Sequence, residues 1–279
     1  MKKFKKVSIL GVGLIGGSIG LALKQRNLAD RITGLTTKKS SLNKALDKGA
    51  IDDGSLSLKK ATEDADLIIV CTPVGNIPHI VNLIGPFVRD NSIITDVGST
   101  KKEIVDKAEK FLPKNVHFVG GHPMAGSEKR GVEAANADLF KNSVCILTKD
   151  NRTHTASFKK IEDLWKQLGA KVRILSASDH DDIVARVSHL PHLAAVALVN
   201  QIKQKDIDFI STGFKDTTRI AKSDPDIWKD IYVSNKKEII DSLNKYIKFL
   251  ERLRDRISTV DTKGLRQELK KVQDLRKKI

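Results

Sequence analysis

One imidazole stands in the stretch GGHPMAG, residues 120–126: His122, between two glycines and a proline, with small or apolar neighbours up to Gly126. Glycine permits backbone angles that other residues avoid, and Pro123 fixes its own φ and biases His122 towards an extended conformation. This reads as a shaped loop presenting a single titratable ring, with a tight turn whose histidine caps a neighbour as the plainer alternative. A second stretch, DVGSTKKEI (96–104), follows a strand-like run and opens a helix. Thr100 with Glu103 fits a Thr-x-x-Glu capping box, which assigns the cap to Thr100 and leaves Ser99 at the carboxyl end of a sheet, where open α/β folds bind ligands. From there Ser99 could hydrogen-bond His122 or a substrate hydroxyl, or serve only as a turn hydroxyl.

Two further stretches carry cations. VARVSHLPHLAAVALV (184–199) sets His189 and His192 three apart on one helix face, with Pro191 opening or bending the helix. A metal would need third and fourth ligands that have no source nearby, so the expectation is a substrate-facing histidine pair and no metal, with two satisfied core histidines as the plainer alternative. GFKDTTRIAKSDPDIW (213–228) sets Lys215 and Arg219 at i,i+4. Neighbouring cations repel unless an anion lies between them or Asp216 compensates. Arg219 suits bidentate capture of a carboxylate, and an Asp216–Arg219 surface pair is the alternative. Asp224 before Pro225 reads as a helix start, with Trp228 in the core.

GVGLIGGSIG (11–20) holds Gly-x-Gly-x-x-Gly at Gly11, Gly13 and Gly16, directly after a strand and opening a helix. The spacing suits a tight turn, close approach of a pyrophosphate and helix-on-strand packing, with free N–H groups and the helix dipole holding the phosphates. A glycine-rich packing turn is the alternative. The expected cofactor contacts are Gly11, Gly13, Leu14, Ile15 and Gly16 in this turn, with Thr72 and Pro73 at the end of a later strand. About twenty residues on, where a carboxylate would take a ribose 2′-OH, the chain reads GLTTKKSS (34–41). Thr36, Thr37, Lys38 and Ser40 suit a 2′-phosphate, so NADP is favoured over NAD.

These groups need a frame. Seven β-type runs, at 7–10, 32–36, 67–72, 92–97, 116–120, 144–148 and 172–175, alternate with helical stretches, which predicts a mostly parallel sheet covered on both faces. After about Ser176 apolar residues recur only at helical spacing. The expectation is an α/β dinucleotide-binding domain over 1–176 and an all-helical domain over 177–279. A chain of 279 residues with 40% apolar content can build two cores. Its net charge of +16 raises nucleic acid as a partner, but the cations are interleaved with acids and lack an aromatic platform, so attraction of small anionic substrates is preferred. The basic and acidic residues of the C-terminal segment predict a solvated helix face. The basic, apolar start has no cleavage pattern, and no apolar run reaches membrane-spanning length. Cys71 and Cys145 lie in apolar runs, as buried reduced thiols of a cytoplasmic protein would.

Taken in order, GVGLIGGSIGLAL, DVGSTK, GGHPMAGSE, SHLPH and GFKDTTRIA resemble the prephenate and arogenate dehydrogenases of tyrosine biosynthesis over nearly the whole chain. The resemblance implies a Rossmann-type domain followed by a helical domain that dimerises, with oxidative decarboxylation of a cyclohexadienol carboxylate between them. It places the acceptor for the ring hydroxyl at His122, an orienting hydroxyl at Ser99, the substrate-carboxylate arginine at Arg219 and a substrate neighbour at His192. Lys215 and Glu128 follow as pocket residues. The GLTTKKSS loop departs from relatives that use NAD and carry an aspartate there. With the chain ending in the helical domain, no appended regulatory or mutase domain is expected. Two other readings stay open: a β-hydroxyacid-type dehydrogenase with a lysine in the helical domain, and a non-catalytic nucleotide sensor with salt-sensitive DNA affinity.

Overall fold

The computed structural model describes residues 3–126 and 129–278. In chain order the elements are β1 (Phe4–Leu10), α1 (Leu14–Gln25), β2 (Ala29–Leu35), α2 (Lys39–Asp47), β3 (Asp53–Ser55), α3 (Leu58–Thr62), β4 (Leu67–Val70), α4 (Ile77–Ile84), β5 (Ile93–Asp96), α5 (Lys102–Phe111), β6 (His117–Val119), β7 (Gly121–Pro123), β8 (Val144–Thr148), α6 (Thr155–Gln167) and β9 (Lys171–Leu175). Helices follow: α7 (Ala177–Val184), α8 (Leu190–Val199), α9 (Thr212–Thr218), α10 (Pro225–Ser234), α11 (Lys236–Ser258) and α12 (Thr262–Arg276).

Six parallel strands form one sheet in the order β3-β2-β1-β4-β5-β6, which leaves ligand-binding loops at its carboxyl edge on either side of β1. Its central strands alternate between two cores. Val7, Ile9, Leu67, Ile69 and Ile93 pack into one face; Leu10, Ile68, Val70 and Ile94 pack into the other. Each such buried aliphatic side chain contributes roughly 1.5–3 kcal/mol of transfer free energy, which is why β4 reads as an unbroken apolar run.

Two strands have no signal in the sequence. β3 is a three-residue Asp-Gly-Ser edge that pairs with β2 through its backbone. β7 is Gly121–Pro123, so the expected loop around His122 is a short antiparallel strand with His122 opposite Ile146 of β8. It belongs to a second sheet, β7-β8-β9, and lies at its edge, where a proline without an N–H is tolerated. Among strand-forming residues this tripeptide has none; its pairing with β8 makes it a strand.

The helical half begins with α7, a π-helical turn over Ala185–His189, and α8. Pro191 at the start of α8 has no N–H to return to the preceding turn, and the wide turn before it absorbs that loss. Taken as one run, Ala177–Val199 is long and apolar enough to cross a membrane, contrary to expectation, and only 28% of its most apolar 18-residue stretch is buried. The C-terminal pair α11 and α12 has a charged face as expected, but it also exposes Ile240, Ile247, Leu250, Ile257, Leu269 and Val272.

Candidate active site

The glycine turn has the geometry its spacing requires. Gly11 has φ +102°, and a side chain there would meet the Cys71 carbonyl oxygen at 2.7 Å; one on Gly16 would collide with the Gly11 carbonyl and lie 2.9 Å from Ile9. Gly13 differs, because a Cβ there meets nothing within 4 Å. It stands at the start of α1, whose first turn has no side-chain cap and no acidic residue. The N–H groups of Leu14 and Ile15 therefore face a space that only glycine leaves open, as a pyrophosphate requires.

That space belongs to a cavity of about 790 Å³, within the range of ligand sites. The sheet contributes Gly13, Leu14 and Ile15, then Thr72 and Pro73 after β4, then Val97, Gly98 and Ser99 after β5. The segment after β7 contributes Ala125 and Gly126, and the helical half closes the far wall with Arg219, Ile220 and Trp228. Thr72 Oγ1 is buried here with no hydrogen-bond partner among the described residues, an orphan hydroxyl that a polar ligand would satisfy. A dinucleotide fits these features: open glycine, free N–H pair and unpaired hydroxyl lie along one wall.

Arg219 is exposed, in a 3-10 turn that follows α9, and makes no ion pair with Asp216 among the described residues. Lys215 lies on α9, also exposed, and is not part of the cavity wall, so the expected side-by-side cation pair is not formed there. The helix ends at Thr218, which takes Arg219 off the α9 face. Asp224 Oδ1 caps α10 by accepting from Ile227 N–H at 2.9 Å, as expected, and its Oδ2 pairs with Arg130 from the segment after β7. Trp228 is half-buried, packs against the second core as expected and also lines the cavity. His192 stacks behind it, rings 3.6 Å apart and 12° from parallel, with Nδ1 2.5 Å from Tyr232 Oη. His192 is thus a buried support for Trp228, and His189, 1% exposed and 3.2 Å from the Asn235 amide, is buried too. The expected substrate-facing pair is an interior one, because Trp228 supplies the wall. Glu128 lies outside the described residues.

The loop after β2 stops short of this cavity. Thr36 is buried, with Oγ1 donating to the Lys38 carbonyl at 3.0 Å, whereas Thr37, Lys38 and Ser40 are exposed around the start of α2, whose first turn has no acid.

The start of α5 departs from expectation. The helix begins at Lys102, and Thr100 does not cap it; its hydroxyl pairs with Ser234 of α10 at 3.0 Å. The cap comes from Asp181 on α7: Oδ1 accepts from Lys101 N–H at 2.7 Å and Oδ2 from Lys102 N–H at 2.9 Å. Beside it, the fully buried Lys101 ammonium pairs with Asp96 and donates to the Gly121 carbonyl at 2.8 Å. Asp96 in turn accepts from Gly98 N–H at 2.8 Å and Gly121 N–H at 3.1 Å, fixing the Ser99 loop against β7. Burial pushes the Lys101 ammonium down, and Asp96 works against that.

His122 is 8% exposed and stands three residues before Ala125, which lines the cavity; His122 itself is not among the lining residues. Its Nδ1 is 2.8 Å from His180 Nε2, so the partner expected of Ser99 is His180 instead; Ser99 itself lines the cavity. Burial, then His180, Lys101 and His189, hold the His122 ring well below its ordinary value, so it is neutral across the physiological range. Sequence reasoning missed His180, Asp181, Asp96 and Lys101. The signal for the last two was present, an acid ending an apolar strand and a lysine inside the hydroxyl motif. Cys71 and Cys145 are unpaired thiols pushed up by burial, hence unreactive.

Comparison with known proteins agrees with this architecture. Residues 19–174 match the family model described as prephenate dehydrogenase, nucleotide-binding domain, and residues 176–271 the one described as prephenate dehydrogenase, dimerization domain. A prephenate dehydrogenase of Bacillus subtilis is 36% identical over 284 residues, covering 99% of this chain and 76% of that protein. The crystal structure of the Aquifex aeolicus prephenate dehydrogenase with hydroxyphenyl propionate and NAD+ superposes with a TM-score of 0.92 at 33% identity, covering 99% of this chain and 98% of that one. A Synechocystis arogenate dehydrogenase superposes at 0.85 and 29% identity, covering 98% and 99%. With both of its domains matched in order, the chain belongs to the prephenate dehydrogenase family of NAD(P)-dependent oxidoreductases.

Proposed function

We propose that, in this prephenate/arogenate dehydrogenase, His122 accepts the proton of the substrate's ring hydroxyl while Arg219 holds a substrate carboxylate and Ser99 orients the hydroxyl. The observation that carries the Ser99 and Arg219 roles is the cavity itself, whose walls join Leu14, Ile15, Ser99 and Arg219 around one space; the His122 role rests on its strand leading into that wall at Ala125 and on its neutral ring. The nicotinamide cofactor supplies the hydride acceptor when bound. As hydride leaves the hydroxyl-bearing carbon, the hydroxyl proton passes to His122 Nε2. The bond to the ring carboxylate breaks, carbon dioxide departs and its electron pair completes the aromatic ring. A positioned base of this kind contributes roughly 10²- to 10⁴-fold. The guanidinium of Arg219 suits a carboxylate better than an ammonium would, because its fork matches both oxygens. A β-hydroxyacid dehydrogenase would need a lysine in the helical half at the reacting centre; Lys215 lies outside the cavity wall, Lys222 lines it, and a lysine base gives no role to a carboxylate-binding guanidinium such as Arg219.

NADP is the proposed cofactor. An acid-free, exposed Thr37-Lys38-Ser40 segment at the end of β2 supports it, since a carboxylate there would repel a 2′-phosphate. A homodimer is the proposed working form. The apolar residues exposed on α11 and α12, the largely unburied run Ala177–Val199 and the dimerization domain of the family support a second copy, and not a bilayer, as their cover. The unpaired cysteines fit a reducing cytoplasm. The test is reduced-cofactor formation by purified protein with prephenate and arogenate, each crossed against NAD and NADP, with light scattering for the dimer. Turnover that prefers NAD at equal concentration would overturn the NADP assignment, and a monomer at micromolar concentration would overturn the dimer.

A further inference from the structure

We propose that His180 and Asp181 act as a positioning pair that sets the tautomer of His122 and takes up the charge formed when His122 accepts a proton. The proposal rests on His122 being the acceptor. Its basis is a buried chain of short contacts in which each donor fixes the next. Asp181 is 3% exposed, and both its oxygens accept backbone N–H groups of Lys101 and Lys102. Its Oδ1 is also 2.7 Å from Nδ1 of His180, a ring that is 0% exposed. A carboxylate only accepts, so His180 carries its proton on Nδ1 and presents a lone pair at Nε2. That lone pair faces His122 Nδ1 at 2.8 Å, so the His122 proton sits on Nδ1 and its Nε2 is left as an acceptor. The opposite tautomer of His122 would set two lone pairs against each other across the same distance in a buried site, which interiors do not sustain.

The same chain answers a difficulty in the chemistry. A ring held neutral by burial and by the Lys101 ammonium is ready to accept, yet would resist the positive charge that acceptance creates. The chain moves that charge. As the substrate proton forms an N–H bond at His122 Nε2, the bond at His122 Nδ1 breaks and a new one forms at His180 Nε2. The cation then lies on His180, against Asp181, and return of the proton from His122 Nε2 to the phenolate oxygen that decarboxylation leaves reverses the shift. The groups facing His122 are His180 and His189 from the helical half, Lys101 from the β5–α5 connection, itself paired with Asp96 of β5, and Cys145 from β8; Asp181 is the acid that reaches it through a ring. Asn235 holds the arrangement in place by donating to the Asp181 carbonyl at 2.9 Å.

Three variants test it: His180→Phe, His180→Gln and Asp181→Asn, each with kcat, KM, cofactor Kd and the ring-nitrogen NMR signals of His122. The expected result for His180→Phe and Asp181→Asn is a loss of kcat of about 100-fold or more, with substrate KM and cofactor Kd within about threefold. The His122 signals should move from Nδ1-protonated to a mixture or to Nε2-protonated. Glutamine places an amide oxygen where His180 Nε2 stood, so His180→Gln should keep His122 Nδ1-protonated and retain more turnover than His180→Phe. Asp181→Asn also alters the α5 cap, so His180→Phe, which leaves that cap intact, decides the case. Retention of the Nδ1-protonated form, or of kcat within about threefold, in His180→Phe overturns the proposal. Unimpaired turnover in His122→Asn would instead remove the acceptor assignment, which the NMR result does not depend on.

Discussion

Two alanine substitutions in the same glycine turn should fail in opposite ways. In Gly13→Ala the new methyl meets nothing within 4 Å, and φ is −97°, so the fold tolerates it. What it occupies is the space beside the Leu14 and Ile15 N–H groups. Each charge-assisted hydrogen bond to a phosphate contributes about 1.5–3 kcal/mol, so losing both costs about 3–6 kcal/mol. That corresponds to a weakening of cofactor Kd by roughly 100- to 10,000-fold. In Gly16→Ala the methyl collides with the Gly11 carbonyl and lies 2.9 Å from Ile9 Cγ2, so α1 must move off β1. Overpacking of this kind costs about 1–3 kcal/mol, which for a chain of this size lowers Tm by roughly 2–12 °C. Calorimetric titration with NADP+ and NAD+, beside thermal melts of the free proteins, separates the two. If Gly13→Ala binds like the parent, or melts as low as Gly16→Ala, the assignment of this turn to a pyrophosphate is wrong.

Other expectations follow from the same geometry. His122→Asn should lose most turnover while cofactor affinity survives, whereas Arg219→Gln should mainly raise substrate KM; steady-state kinetics beside calorimetry checks both. Burial lowers His189 to about 4 from an ordinary 6.5, so above pH 6.5 it is neutral in both folded and unfolded chains and contributes nothing to pH dependence. Between pH 6.5 and 4 the unfolded chain takes the proton that the folded one refuses, and about 3 kcal/mol of stability should be lost as pH falls. His122 and His180 shift in the same direction, and urea midpoints across this range should drop less steeply in His189→Asn. Lys101→Met leaves the Asp96 carboxylate buried without its cation and should cost about 3–5 kcal/mol, much of it recovered in Lys101→Met/Asp96→Asn. If the double variant unfolds at the same urea concentration as the single one, the pair is not the source of the loss.

The seven apolar runs of the sequence all fall on strands, because buried parallel strands need continuous aliphatic residues and leave that mark on composition. The glycine turn was equally legible, since its conformation demands residues without side chains at set positions. β3 and β7 left no mark: a three-residue edge is defined by what it pairs with. The helix cap of α5 was misread for a related reason. Thr100 and Glu103 have the spacing of a local cap, but the α5 donors are satisfied by Asp181, about eighty residues away in sequence, and Thr100 is drawn to Ser234 instead. His192 turned out to be covered by Trp228, because spacing gives a helix face, while what covers that face depends on α10.

Residues 96–102 show why the candidate site is specified by contacts and not by a local motif. Within seven positions the chain sends Asp96 to β7, Thr100 to α10, the Lys101 ammonium to Asp96 and Gly121, and two backbone N–H groups to α7. A buried ion pair is a poor way to add stability, since an apolar pair of similar volume would serve as well or better. Its advantage here is direction. Lys101 and Asp96 hold both the Ser99 loop and the backbone of Gly121, next to His122, while Asp181 holds the start of α5 and the ring that His122 touches. The two halves of the molecule therefore meet through groups whose hydrogen bonds admit a single orientation, and the protonation pattern of His122 is a property of the docked pair of domains. Neither domain alone contains it, which is why no single stretch of sequence announces it.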